Sequence, residues 1–301
     1  TKTLLELLTL TSSLYYIAKD TQLIDRFNEL SGKGKDSIND FISETQLDED
    51  GNEMEFIDKI ILKTNQAKKI VLSRREKVSC NAIEVFNVLK KMLNNYKNAF
   101  VYLWFHPKVG LWMGATPERL ISIDKQLNLK TMALAGTQKF NGMLQVKWQE
   151  KELLEQQYVT DYILENIKDR TSNIETKGPF TTKAGSLLHL RTDISATLKA
   201  QNLLGNLINA LHPTPAICGI PQNIATGFIL KNENYNRAFY SGYLGELNIN
   251  NATNLFVNLR CMQIKENKAT LYIGGGITNK SIAEKEWDET VAKAEIMKRV
   301  L

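Results

Sequence analysis

The sequence predicts an α+β fold: two antiparallel β-sheets packed together, with flanking helices. Three observations point there. Short runs rich in aromatic and β-branched residues crowd between residues 99 and 136 and are spaced by turn residues, as hairpin strands are. Helical periodicity then takes over near residue 149, and the last third again shows strands followed by a helix. Strands and helices that come in blocks, rather than alternating one by one, build antiparallel sheets with helices outside them.

In chain order, residues 1–29 carry leucines at helical spacing around Glu6 and lead into a polar run rich in Gly, Asp and Asn. Residues 1–54 therefore read as an amino-terminal helix and polar linker, and 55–301 as one large domain. The DEDGNE fragment of the linker has its glycine at the fourth position, not the sixth that an EF-hand loop requires. From Phe56 a helix is expected to run into a strand at KKIVLSR, with a further helix from about Ala82 to Leu93. AFVYLWF, KVGLWMGA, ERLISID and LNLKTMALAG then read as strands, Gln149 to Asp169 as a helix, LLHLRTDISATL as a strand and AQNLLGNLINAL as a helix. AFYSGYLGELNI, TNLFVNLRCMQI and ATLYIGGGI are the late strands, and a closing helix starts at Ser281.

Composition narrows the functional classes. The 301 residues are 43% hydrophobic and 24% charged, normal for a soluble globular chain. No stretch approaches the roughly 18 apolar residues of a membrane span, and the amino end lacks the basic-then-apolar order of a signal peptide. A cytoplasmic protein without membrane partners is expected. Cys80, Cys218 and Cys261 are scattered and form no Cys-x-x-Cys pair, which excludes a disulfide framework and a zinc site. The net charge of +5 is spread along the chain, so nucleic acid is not an expected partner, while a mild positive field favours a small anionic substrate.

Two copies of Glu-x-x-Glu carry the first chemical signal: Glu152 and Glu155, then Glu286 and Glu289. Carboxylates three apart on a helix share a side and repel unless something positive stands before them. Oxygen ligands from two helices, without His or Cys, suit Mg²⁺. The run Gly274 to Ile277 follows a strand and precedes the helix of the second pair, where successive N–H groups could form an anion-binding nest. Arg260 reads as the end of the strand TNLFVNLR, where an inward guanidinium needs a carboxylate from the protein or from a ligand. Lys69, at the start of a strand, becomes a general base if desolvated; Glu118, after Thr-Pro at a turn, becomes a general acid if buried.

These blocks together carry a resemblance. GATPERL, ALAGT, KELLEQQYV, LHPTPAICGIP, RAFYSGYLGEL, NLFVNLRC, GGGI and EWDETVAK, in that order, are similar to the chorismate-binding enzymes, over roughly residues 55 to 301. The resemblance implies the same pair of antiparallel sheets, and chorismate as substrate with Mg²⁺ as cofactor. It implies Glu155 and Glu289 at the metal, with Glu152 and Glu286 acting through water. Arg260, Tyr240, Gly274 and Gly276 match positions that hold the enolpyruvyl carboxylate, and Lys293 matches a substrate-facing lysine. Gly136, Thr137, His189 and Ala216 match pocket positions near the ring.

Within the family, lysine rather than glutamine at position 69 implies water, not ammonia, as nucleophile, and so no glutamine amidotransferase subunit as partner. Ala135 replaces the lysine that a covalent aminotransfer route would use, and LHPTPAICGIP is similar to isochorismate synthases. The expected reaction is attack of water on ring carbon C2 with Lys69 as base, while Glu118 protonates the departing C4 hydroxyl. Salicylate synthase and a non-catalytic chorismate-binding protein are the alternatives. One departure stands out: Gln156 occupies a place where the family has histidine after the metal-binding glutamate.

Overall fold

The computed structural model describes residues 67–80 and 83–301. The helix and linker read over residues 1–54, and the helix read from Phe56, lie outside the described residues. The described residues up to Glu233 and from Arg237 to Leu301 group as one compact unit, and every element below belongs to it. No helix among the described residues is long and apolar enough to cross a membrane.

Strand β1 (Lys69–Ser79) and helix α1 (Val85–Asn95) precede four strands: β2 (Phe100–His106), β3 (Gly110–Thr116), β4 (Arg119–Ile123) and β5 (Asn128–Lys139). Helix α2 (Glu150–Ile167), strands β6 (Thr171–Ala184) and β7 (Leu187–Leu198), helix α3 (Leu204–Leu211), strand β8 (Gly219–Ile220) and helix α4 (Gln222–Asn232) follow. The chain closes with β9 (Tyr243–Ile249), β10 (Ala252–Val257), β11 (Cys261–Lys265), β12 (Lys268–Ile277) and helix α5 (Ala283–Lys298). The first sheet has the order β2-β3-β11-β12-β1-β8 and the second β6-β7-β5-β4-β10-β9. Their pairings are antiparallel throughout, so the expected two-sheet fold is the one observed.

Each sheet hides one face under helices. In the second sheet Ile121, Leu129, Ala133 and Ile194 pack against Val159, Ile163 and Ile167 of α2 and Leu207, Ile208 and Leu211 of α3. In the first, Met113, Met262 and Leu271 pack against Val88 and Met92 of α1 and Ala294 and Met297 of α5. Burying each such large apolar side chain stabilises by about 1.5–3 kcal/mol. On α2 the buried stripe runs Glu155, Val159, Ile163, Ile167 at steps of four, so the spacing that seats the helix also aims Glu155 inward.

Two of the points at which the chain passes between the sheets lie side by side. After β3 it crosses at Pro117 and Glu118 to β4; after β10 it crosses back at Asn258 to Arg260 into β11. The crossings are tied by Val257 N–H to Glu118 O (3.0 Å) and Ala115 N–H to Arg260 O (3.0 Å). The sequence reading of TNLFVNLRCMQI as one strand is corrected here. Its apolar alternation continues through the break, but Arg260 adopts a left-handed φ of 49° and the two halves lie in different sheets.

Three further differences concern element type. Gly274, Gly275 and Gly276 lie inside β12, in register with Ser73, Leu72 and Val71 of β1, so they form part of a ladder and not an anion nest. Only the second half of AFYSGYLGELNI is strand, because residues 238–241 form a turn with Ala238 and Ser241 at positive φ. Strand β6 and helix α4 were not foreseen. β6 is a sheet edge with mostly exposed residues, which lacks the apolar alternation that marks a half-buried strand.

Candidate active site

Thirteen of the fifteen residues selected from the sequence line one cavity where the two sheets and helices α2 and α5 meet. The first sheet supplies Lys69, Gly274 and Gly276; the second supplies Gly136, Thr137 and His189. The two crossings contribute Glu118 and Arg260, the loops after α3 and α4 contribute Ala216 and Tyr240, and the helices contribute Glu155, Glu289 and Lys293. Glu152 and Glu286 are outside this lining.

Lys69 is buried to 1% exposure, the condition set for a general base, but it is not alone: Nζ pairs with Glu155 Oε1 at 2.7 Å. Gly276 makes that pair possible. A Cβ there would fall 2.7 Å from Lys69 Cε and closer still to Glu155 Oε1. Gly276→Ala is expected to push the pair apart and lower stability by about 1–3 kcal/mol, the usual range for overpacking; thermal denaturation of the variant checks this, and an unchanged Tm would contradict it. Gly274 has a related role, since a side chain there would collide with the Tyr240 hydroxyl.

Glu118 is 3% exposed. Burial raises its pKa to about 7 against the pull of Lys69, Arg260 and Lys293, so near neutrality a large fraction of this carboxyl keeps its proton and can donate it. Arg260 is also buried; burial, partly offset by Tyr96 and Glu118, lowers its pKa to about 10. Its guanidinium donates to Ala184 O (3.1 Å) and to His189 Nε2 (2.5 Å), and no ion pair to a carboxylate is formed among the described residues. His189 Nδ1 lies 2.8 Å from Gly136 O, which can only accept. The imidazole is therefore the Nδ1–H tautomer, with Nε2 free to accept from Arg260. Burial and then Arg260 hold His189 well below its ordinary pKa, consistent with a neutral ring.

The acidic side of the cavity is matched by lysines. Glu289 pairs with Lys293 at 2.7 Å, and Lys293 also donates to Gly274 O at 2.9 Å. Burial pushes Glu289 up, but Lys293 and Lys151 more than offset it and hold the carboxyl below its usual range. Glu286 Oε1 pairs with Lys151, while Oε2 is buried without a hydrogen-bond partner among the described residues. Burial raises Glu286 against the attraction of Lys151. Glu152 accepts from Gln149 N–H at 2.8 Å as half of a capping box that starts α2. Gln156, in the histidine's place, donates to Ala133 O (3.2 Å) and Thr192 Oγ1 (3.0 Å) and so ties α2 to the second sheet.

Sequence reasoning missed Lys151. The need for positive charge between the two acidic pairs was the available signal, and it was assigned wholly to a metal. Among the described residues no three acidic, His or Cys side chains stand close enough to make a finished metal cluster, because the carboxylates turn to their lysines. The donor chemistry nonetheless fits a hard cation: oxygen ligands only, from two helices, one of them a buried carboxylate oxygen with no partner.

Comparison with known proteins agrees with the fold. The family model described as Chorismate binding enzyme matches residues 11–301. The isochorismate synthase MenF of Haemophilus influenzae is 28% identical over 242 residues, covering 77% of this chain and 56% of that protein. The isochorismate synthase EntC of Escherichia coli K12 is 29% identical over 251 residues, covering 79% and 63%. The chain thus spans somewhat over half the length of these relatives. A crystal structure assigned as a 2,3-dihydroxybenzoate-specific isochorismate synthase, DhbC of Bacillus anthracis, superposes with a TM-score of 0.75 at 28% identity, covering 82% of this chain and 70% of that one.

Proposed function

The chain belongs to the chorismate binding enzyme family, and from that premise we propose that it is an isochorismate synthase, converting chorismate to isochorismate with Mg²⁺. The observation that carries this reading is the pairing, in one cavity, of a fully buried lysine with a buried carboxyl whose pKa is raised to about 7. Similarity to MenF and EntC, both isochorismate synthases, supports it.

Arg260, whose donors meet only neutral acceptors among the described residues, would take a carboxylate of the substrate, and Lys293 would add a second positive group. When bound, Mg²⁺ would be held by Glu155 and Glu289, with Glu152 and Glu286 through water, and would supply positive charge against the ring carboxylate. Lys69 Nζ is paired with Glu155 and accepts a proton only as the neutral amine. Lys69 Nζ would then take a proton from water as the oxygen bonds to C2. Glu118 would give its proton to the C4 hydroxyl, which leaves as water while the ring double bonds shift between the two carbons. One water enters and one departs, so the net reaction is an isomerisation.

The route of the oxygen is testable. In water enriched in oxygen-18, isochorismate formed by this chain is expected to carry one heavy oxygen in its ring hydroxyl, read by mass spectrometry. Unlabelled product would contradict attack by water and with it the role given to Lys69.

A further inference from the structure

Lys151 lies in the first turn of α2, where the helix dipole disfavours a positive charge. Yet its side chain is largely buried and its ammonium pairs with Glu286 of α5. The carboxylates of Glu155 and Glu289 also act on its charge. Lys69 and Lys293 line the cavity, whereas Lys151 does not. It is therefore placed to answer the carboxylates and not a substrate. Its pairing is also incomplete, since the second oxygen of Glu286, a residue 3% exposed, has no hydrogen-bond partner among the described residues.

We propose that Lys151 is the resident counter-cation of the metal-free site: it holds α2 to α5 through Glu286 and competes with the divalent cation for the same carboxylates. The inference rests on the Mg²⁺ reading above. One charge on a flexible stem can neutralise part of the acidic cluster but cannot coordinate all of it, so a doubly charged ion displaces it. Lys151 is thus a positioning residue that sets metal affinity from behind the cavity.

Lys151→Met removes the charge and keeps an unbranched side chain one atom shorter. In calorimetric titration with Mg²⁺ alone, without chorismate, the variant is expected to bind about tenfold more tightly than the natural chain, the lower end of what groups contacting metal ligands contribute. Its Tm in EDTA is expected to fall, and the rise on adding Mg²⁺ to widen. A merely structural lysine predicts the opposite, because a disordered site binds metal less well. Equal or weaker binding by Lys151→Met, with the natural chain binding normally, would overturn the proposal. Failure of the natural chain to bind Mg²⁺ would instead remove the metal reading and this inference with it. An independent measurement needs no variant. Acylation of Lys151 in the natural chain, mapped by mass spectrometry, is expected to increase when Mg²⁺ is added to EDTA-treated protein; unchanged labelling under saturating Mg²⁺ would overturn the proposal even if the variant does not fold.

Discussion

Glu118→Gln is expected to lower kcat by at least ~100-fold, the scale of losing general-acid catalysis, while making the protein more stable at neutral and alkaline pH. The sign follows from linkage. The folded pKa of about 7 lies above the ordinary 4.5, so between those values the folded chain keeps a proton that the unfolded chain has lost. Stability contributed by this group is therefore lost as pH rises through that window, by about 3 kcal/mol in full. A glutamine has no charge to bury, so the variant escapes this loss. The rate of the natural chain is expected to fall above about pH 7 as Glu118 deprotonates, and the residual rate of the variant to lack that limb. Activity near the natural level in Glu118→Gln would refute the acid role. A Tm unchanged at pH 8 would refute the burial argument separately.

Lys69→Ala is expected to cost a comparable factor in kcat, at least ~100-fold, with the reverse effect on stability. Lys69 is the 2.7 Å partner of Glu155, and removing one member of a buried pair leaves the other charged and alone, typically at about 3–5 kcal/mol. The Tm in EDTA should drop sharply. Mg²⁺ should restore much of it, because the cation would engage the carboxylate that the lysine abandoned. Acid and base are thus distinguished by opposite stability signs, which a pair of melting curves reads without any activity assay. A Lys69→Ala variant as stable as the natural chain, or as active, would contradict this assignment.

The two-sheet architecture was legible because hairpin strands such as β2 and β3 are short runs rich in apolar and aromatic residues bounded by turn residues. Helix α2 was legible because its apolar stripe repeats every four residues. The sheet crossings were not, since the alternation of Leu255, Val257, Leu259 and Cys261 runs straight through the break and the left-handed turn at Arg260 is imposed by tertiary structure. The glycine run reads as a nest from its place before a helix, but Gly274 and Gly276 also suit a strand face that must clear Tyr240, Glu155 and Lys69. The cavity residues came from motif resemblance, which holds their chain order. Lys151 looks in the sequence like a solvated first-turn residue, and only the approach of α5 shows what it faces.

The most direct test is a proton NMR time course of the full chain with chorismate, in Mg²⁺ and in EDTA. Isochorismate is expected to accumulate alongside residual chorismate in Mg²⁺ only. Salicylate with pyruvate, or a spectrum unchanged by Mg²⁺, would contradict isochorismate synthase activity.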